Sequence, residues 1–456
     1  MSYRYDFRTV VLAIALIASV PVWAQTLEPA LVEPPQTWGT STSWGQSVVP
    51  AAGPIPSPLT MHDAQRLALA RSPALAQARA EIEAGRSKAE YRSQLPDPVL
   101  TLGAQNLPAD TLALNQSGMS MLGIGLSQKF PPPGKLGLIH RQLERGTAVL
   151  RYRMQNLKAG VVRAVRRAWL ALYYDDHALK VLHKSQALYR RIEQAALARY
   201  RTGQGQVADV LKARLAADGL IDQEDAWRSK RRQAQSRLAQ LLDLPSFEHI
   251  AVSRAFPRLP AIPPLQTLLT HLVHHPLVIA QDDVIRAAQL NVAAARRDFY
   301  PSYEISAGYA HRATPGVRAP NLVSVGVSLS LPLFSGQRQD ARLHRRVAQT
   351  QAARDQRDDL LLNLRQQAQS RYADYDALTR RIQLLQQTLV PEAQQTVAVS
   401  LSAYRTGALS LTEVLRAQRT VLNQTLRLWF LKTDLARVTA DLDYLATSTE
   451  GHFHAR

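Results

Sequence analysis

Two carboxylates, Asp209 and Glu413, each stand six residues beyond a glycine, Gly203 and Gly407, in closely matching surroundings. A base follows each acid by three residues, Lys212 and Arg416. An acid in the first turn of a helix is favoured by the helix dipole alone. Set around a passage, such carboxylates attract cations and repel one another, which suits selection and gating rather than bond chemistry. His271, His274 and His275 offer a second possibility, because i, i+3, i+4 spacing can put two imidazoles on one helix face. They precede Pro276 at an expected helix start, and no cysteine or well-placed acid completes a coordination sphere. His452 and His454 lie in a short tail. No nucleophile elbow, phosphate loop or zinc-protease helix appears, so no catalysis, cofactor or resident metal is expected.

The elements that position these residues are written twice. Arg199-Tyr200-Arg201-Thr202-Gly203 is matched by Ala403-Tyr404-Arg405-Thr406-Gly407. Ser72-Pro73 matches His275-Pro276, Leu95-Pro96 matches Tyr300-Pro301, and Phe130-Pro131 matches Leu331-Pro332. Each copy reads helix, strand, strand, very long helix, tight turn, helix. The first copy predicts these near 60–94, 97–106, 119–130, 135–201 and 206–243; the second near 264–299, 301–311, 321–332, 337–405 and 409–446. A fixed internal period of this length fixes the architecture first. The expected domains are a signal peptide (1–24), a Pro-rich extension (25–58), two repeats (59–244 and 264–447) joined by a linker (245–263), and a tail (448–456).

The helices and strands differ in kind. Leu361, Leu364, Ala368, Tyr372, Tyr375, Leu378, Ile382, Leu385 and Leu389 recur every three or four residues, and Val414, Val421, Leu428, Leu435 and Leu442 every seven. That spacing marks helices packed as coiled coils. Pro391 should kink the second long helix or remove a hydrogen bond. In the strands, Val323, Val325, Val327 and Leu329 alternate with Ser324, Gly326 and Ser328, and Leu122, Ile124 and Leu126 with Gly123 and Gly125. Such alternation fits either a half-buried soluble sheet or strands with one face to lipid and one to a lumen.

Export favours the second reading. Arg4 and Arg8 precede an apolar run from Val10 to Val20 and a Val22-Trp23-Ala24 cleavage signal. No segment is long and apolar enough to suggest a transmembrane helix. Four strands cannot close a barrel, and open edges are not tolerated in lipid, so chains must share one. With no cysteine, there is no disulfide and no N-terminal lipid-bearing Cys. The charge of +19, from 55 Lys+Arg and 36 Asp+Glu, would suggest nucleic acid, but export and the dispersal of the arginines along helices argue against it.

This order, with Tyr-Arg-x-Gly at the helical turn of both copies, resembles the TolC-like outer-membrane efflux proteins over residues 60 to 446. Leu95-Pro96-Asp97-Pro98, Asn106-Leu107-Pro108 and Phe130-Pro131-Pro132-Pro133-Gly134-Lys135 resemble the CzcC-like heavy-metal branch. The resemblance implies a mainly α fold with a membrane β-barrel portion: a homotrimer with a shared twelve-stranded barrel in outer-membrane lipid, and coiled-coil helices forming a periplasmic α-barrel. It implies a passive duct for heavy-metal cations, joined to a periplasmic adaptor and an inner-membrane pump. Drugs, solvents or secreted polypeptide are the alternative cargoes, and a non-conducting exported coiled-coil scaffold is the alternative class. By the same resemblance, Arg201, Gly203, Arg405, Gly407 and Ser410 would contact the adaptor. Asp209, Glu413 and Arg416 would stand at the tunnel entrance. Arg416 and Leu409 occupy positions where a TolC-type gate has an acid and an arginine, so that gate network is not expected here.

Overall fold

The computed structural model describes residues 56–114, 116–244, 250–312 and 320–448. The expected signal peptide, most of the 25–58 extension and the tail beyond Ser448 lie outside the described residues. In the first repeat, α1 (Met61–Arg71) and α2 (Pro73–Arg92) lead to strands β1 (Val99–Gln105) and β2 (Met121–Phe130). The helix α3 (Lys135–Arg201) follows, then α4 (Val207–Leu241). In the second repeat, α5 (Leu265–His271) and α6 (Pro276–Arg297) lead to β3 (Ser302–Arg312) and β4 (Leu322–Ser330). Then come α7 (Ser335–Leu384), α8 (Val390–Arg405) and α9 (Leu411–Leu445). The 67 residues of α3 span about 100 Å at 1.5 Å per residue.

Three differences from the sequence pattern share one cause, an interrupted hydrogen-bond ladder. The span 60–94 is two helices, broken at Ser72, whose Oγ accepts the Leu75 N–H and caps α2 with Pro73 at its first turn. The span 264–299 breaks in the same way at His275, whose Nδ1 accepts the Leu277 N–H ahead of Pro276. The span 337–405 is broken by a π turn, Leu385–Leu389, directly before Pro391. Pro391 has no N–H to donate, and the wider turn absorbs the gap without ending the helix.

The four strands form one antiparallel sheet in the order β1-β2-β3-β4. Directly opposed residues share a face. The pairs Leu102↔Ile124, Ile124↔Tyr309 and Tyr309↔Val323 therefore put the large apolar side chains on one side. Thr101↔Gly125, Gly125↔Gly308 and Gly308↔Ser324 put small and polar residues on the other. Among the described residues no helix packs across the apolar face: Leu102 is 71% exposed and Val323 77%. A water-facing sheet would leave this surface at a large hydrophobic cost. Among the described residues neither β1 nor β4 pairs along its outer edge. Among the described residues no helix is long and apolar enough to cross a membrane.

The helices repeat the order of the strands. Next to the sheet, α2 packs on α3, α3 on α6 and α6 on α7, so each strand is continued by its own helix. Where they meet, the Asp298 carboxylate gathers three of them. It binds Lys135 at the start of α3 and accepts from Arg342 Nη1 of α7 at 2.6 Å. Although burial opposes it, these two cations hold the Asp298 carboxyl below its usual range. Farther from the sheet, α3 packs with α4, and α9 with α3, α7 and α8. Trp169 and Tyr173 of α3 anchor this core with Leu238, Leu242, Ile250 and Val252. The chain after α4 returns to the first repeat, where Leu59 N–H donates to Ala251 at 2.7 Å and Ser253 N–H to Leu59 at 3.0 Å. Asp175, also on α3, is buried, and desolvation pushes it up to about 6 against the pull of Lys230 and Arg437.

Candidate functional site: two helical turns and the residues that join them

The turns after α3 and α8 have the same backbone. Gly203 N–H donates to Tyr200 O at 3.0 Å and Gln204 N–H to Arg199 O at 2.9 Å. Gly407 N–H donates to Tyr404 O at 3.1 Å and Ala408 N–H to Ala403 O at 2.9 Å. Both are Schellman closures, which satisfy the last carbonyls of a helix by placing its C′ residue at positive φ. Gly203 has φ +70° and Gly407 φ +83°, so their conservation between the two copies follows from backbone geometry alone.

The side chains around the turns are not alike. Tyr200 is 46% exposed, whereas its counterpart Tyr404 is 2% exposed, in a cluster with Ile192, Ala196, Ala213, Leu411 and Val414. Arg199, opposite Ala403 in the repeat, closes over it. Its Nη1 donates to Tyr404 O, its Nη2 donates to Gln204 O at 2.9 Å, and its guanidinium lies 4.9 Å from the Tyr404 ring centroid. A Cβ on Gly407 would stand 3.2 Å from Arg199 Nη2; one on Gly203 would meet nothing within 4 Å. The Tyr404 hydroxyl donates to Asp209 Oδ2 at 3.5 Å. Burial, and after it the Asp209 charge, raises the Tyr404 phenol above its usual range. One arginine and one tyrosine thus join the turn of the first repeat to that of the second.

Of the residues singled out in the sequence, Arg201, Gly203, Arg405, Gly407 and Ser410 are all exposed at these turns. Ser410 is the N-cap of α9 but makes no side-chain capping bond, which leaves its hydroxyl available. Asp209 and Glu413 are half-buried, each in the first turn of its helix, but their partners differ. Glu413 pairs with Arg416, Nη1 to Oε1 at 2.7 Å. Asp209 forms no ion pair among the described residues and faces Tyr404 instead. The two acids are therefore not equivalent. Arg199 went unnoticed in the sequence because comparing the copies favours positions that repeat, and this one does not.

The three histidines are not presented together on one helix. His271 ends α5, residues 272–274 form a 3-10 turn, and His275 is the buried N-cap of α6 against the edge of Tyr444. Burial pushes His275 down to about 4, so at neutral pH it is an uncharged cap. Among the described residues no three His, Asp or Glu side chains come together as a metal site.

A sheet with an uncovered apolar face and two open edges, continued by helices far longer than a globular core needs, defines a channel-forming outer-membrane protein. The chain belongs to the family of outer membrane efflux proteins, which it matches over residues 65–243 and 270–446. It is 25% identical over 389 residues to the cobalt-zinc-cadmium resistance protein CzcC of Cupriavidus metallidurans, covering 84% of this chain and 89% of that protein. Its fold is similar to the outer membrane protein VceC of Vibrio cholerae, with a TM-score of 0.70, 19% identity and coverage of 85% and 96%. CusC, solved during a study of channel formation, gives a TM-score of 0.68 at 17% identity, covering 83% and 90%. The protein is accordingly a passive efflux channel of the outer membrane reaching into the periplasm, and not an enzyme.

Proposed function

We propose that three copies of the chain close a twelve-stranded barrel and form the outer-membrane duct of a tripartite system exporting heavy-metal cations. The observation that supports the cargo is the likeness to CzcC, a cobalt-zinc-cadmium resistance protein, over 84% of the chain. The unpaired edges of β1 and β4 support the shared barrel, since an open edge in lipid leaves backbone groups unsatisfied. A periplasmic adaptor docks at the exposed turns, on Arg201, Gly203, Arg405, Gly407 and Ser410, and links the duct to an inner-membrane pump that supplies the energy. Asp209 and Glu413 line the entrance, with Arg416 reducing the field of Glu413. On export, residues 1–24 direct the chain across the inner membrane and are then cut off after Ala24; the 25–58 extension leads into the two repeats, 59–244 and 264–447, joined by residues 245–263, and a tail follows from 448.

A strain lacking this chain, with and without a plasmid copy, tests the cargo against a panel of zinc, cadmium, cobalt and copper salts and a panel of drugs. Sensitivity to at least one metal, restored by the plasmid, is the expected result. Sensitivity to drugs alone would sink the metal assignment while leaving the duct intact. The mass of the mature chain tests cleavage after Ala24.

A further inference from the structure

The positive charge is unevenly placed. α3 carries fifteen Lys+Arg against four Asp+Glu. The matching stretch of the second repeat, 335–405, carries eleven against seven. Part of the α3 excess converges on a groove of about 560 Å³ between α3 and α6, lined by Arg141, Glu144, Arg145, Arg151, Arg286 and Gln289. Two of the arginines that line this groove are anchored by a buried carboxylate beside it. Asp283 of α6, whose side chain is 3% exposed, accepts from Arg145 Nη1 at 3.3 Å and from Arg286 Nη1 at 3.0 Å, and so fixes two guanidiniums side by side. Arg141 and Arg151 are exposed, and neither pairs with a carboxylate among the described residues. The groove on the other side of α3 carries only two cations, Lys88 and Arg153, among amides and small residues.

Its position decides what can reach it. α3 and α6 are the two central helices of the α2-α3-α6-α7 layer, so neighbouring copies joined at the strand edges β1 and β4 meet α2 and α7 first. Along α3, Arg141 lies about 9 Å and Arg151 about 24 Å beyond Lys135 at 1.5 Å per residue. The polar layer of a bilayer adds about 5–8 Å to each side of its hydrocarbon. With the edge of the hydrocarbon set at the ends of the strands, one end of the groove lies at the depth of the headgroups and the other in water.

We propose that this groove binds an elongated phosphate-bearing anion, one anionic group at Arg141 and Arg145 and another towards Arg151 and Arg286. Guanidinium groups bind phosphate oxygens through paired, charge-assisted hydrogen bonds, and two of the four are already held in place. The anion is either the headgroup of an acidic phospholipid or a free phosphate compound. The inference rests on membership of the family and on this geometry, and is independent of the metal cargo.

The test uses the full chain, purified in an uncharged detergent. Native mass spectrometry measures retention of cardiolipin against phosphatidylcholine, and calorimetry measures binding of inorganic phosphate and pyrophosphate. Wild type should hold cardiolipin in preference to phosphatidylcholine, or bind pyrophosphate saturably, and the first or second result names the source. Arg141→Gln/Arg151→Gln should weaken that binding by about tenfold or more, as loss of two charge-assisted contacts predicts. Arg190→Gln/Arg191→Gln, which removes the same charge from exposed positions on the same helix, should leave it unchanged. Binding of no phosphate probe, equal retention of phosphatidylcholine, or equal loss in both double variants would overturn the site.

Discussion

The two turns share a backbone but divide the labour around it. In the first, the tyrosine is exposed and the arginine before it reaches across; in the second, the tyrosine is buried and alanine precedes it. Duplication supplied two identical closures, and divergence turned one into the clamp and the other into what is clamped. Backbone geometry preserved the glycines in both copies, whereas single-copy residues carry the coupling. A repeat is therefore a poor guide to which residues join its halves.

The largest expected effect comes from the clamp itself. Arg199→Ala removes two hydrogen bonds from a charged donor and a ring contact, about 2–3 kcal/mol of local stability. Hydrogen exchange at the amides of both turns should speed up in this variant, and exchange confined to the first turn would break the asymmetry argued above. The long helices can be compared in the same way, because α3 buries Asp175 while α7 buries no acid. With its carboxyl raised to about 6, Asp175 keeps in the folded chain a proton that the unfolded chain releases near pH 4. Stability should therefore fall as pH rises from about 4 to about 6 and stay lower above it. Asp175→Asn should flatten that profile and raise stability at pH 7.5 by up to about 2–3 kcal/mol, read from melting at several pH values.

Smaller effects sharpen the difference between the turns. Gly203→Ala and Gly407→Ala both force alanine to positive φ, at about 1 kcal/mol. Only Gly407→Ala must also displace Arg199, so its cost should be roughly twice as large by exchange at the turn. Tyr404→Phe loses one long hydrogen bond to Asp209, below about 1 kcal/mol, while Tyr200→Phe should change nothing measurable. Last, Arg416→Gln frees Glu413 and should raise cation selectivity in a planar bilayer more than Lys212→Gln does, because Lys212 forms no ion pair with Asp209.

Much of the fold could be read from the sequence because it rests on period. Alternation, and for β1 the match between the copies, placed the strands to within two residues at each end, and of the seven-residue series from Val414 to Leu442 all but Val421 fall in the packed core of α9, where Leu422 is buried instead. The breaks were harder to read. Ser72-Pro73 and His275-Pro276 were matched as a repeat, yet each is a cap between two helices, since apolar spacing continues through a cap when both helices bury the same side. Pro391 marks a disturbance in the sequence, but its form, a π turn at Leu385–Leu389 rather than a kink or an end, is not written in the proline itself. At the turns the glycines were legible, whereas the carbonyl that receives Arg199 lies 205 residues away and could not be.

The open edges of β1 and β4 carry a consequence for genetics. A sheet that is completed only by other copies makes every assembly depend on each of its members. In a cell making normal and defective chains in equal amounts, random association into threes leaves about one assembly in eight entirely normal. An allele that folds, joins and obstructs should therefore be dominant, whereas one that never pairs its edge should be recessive.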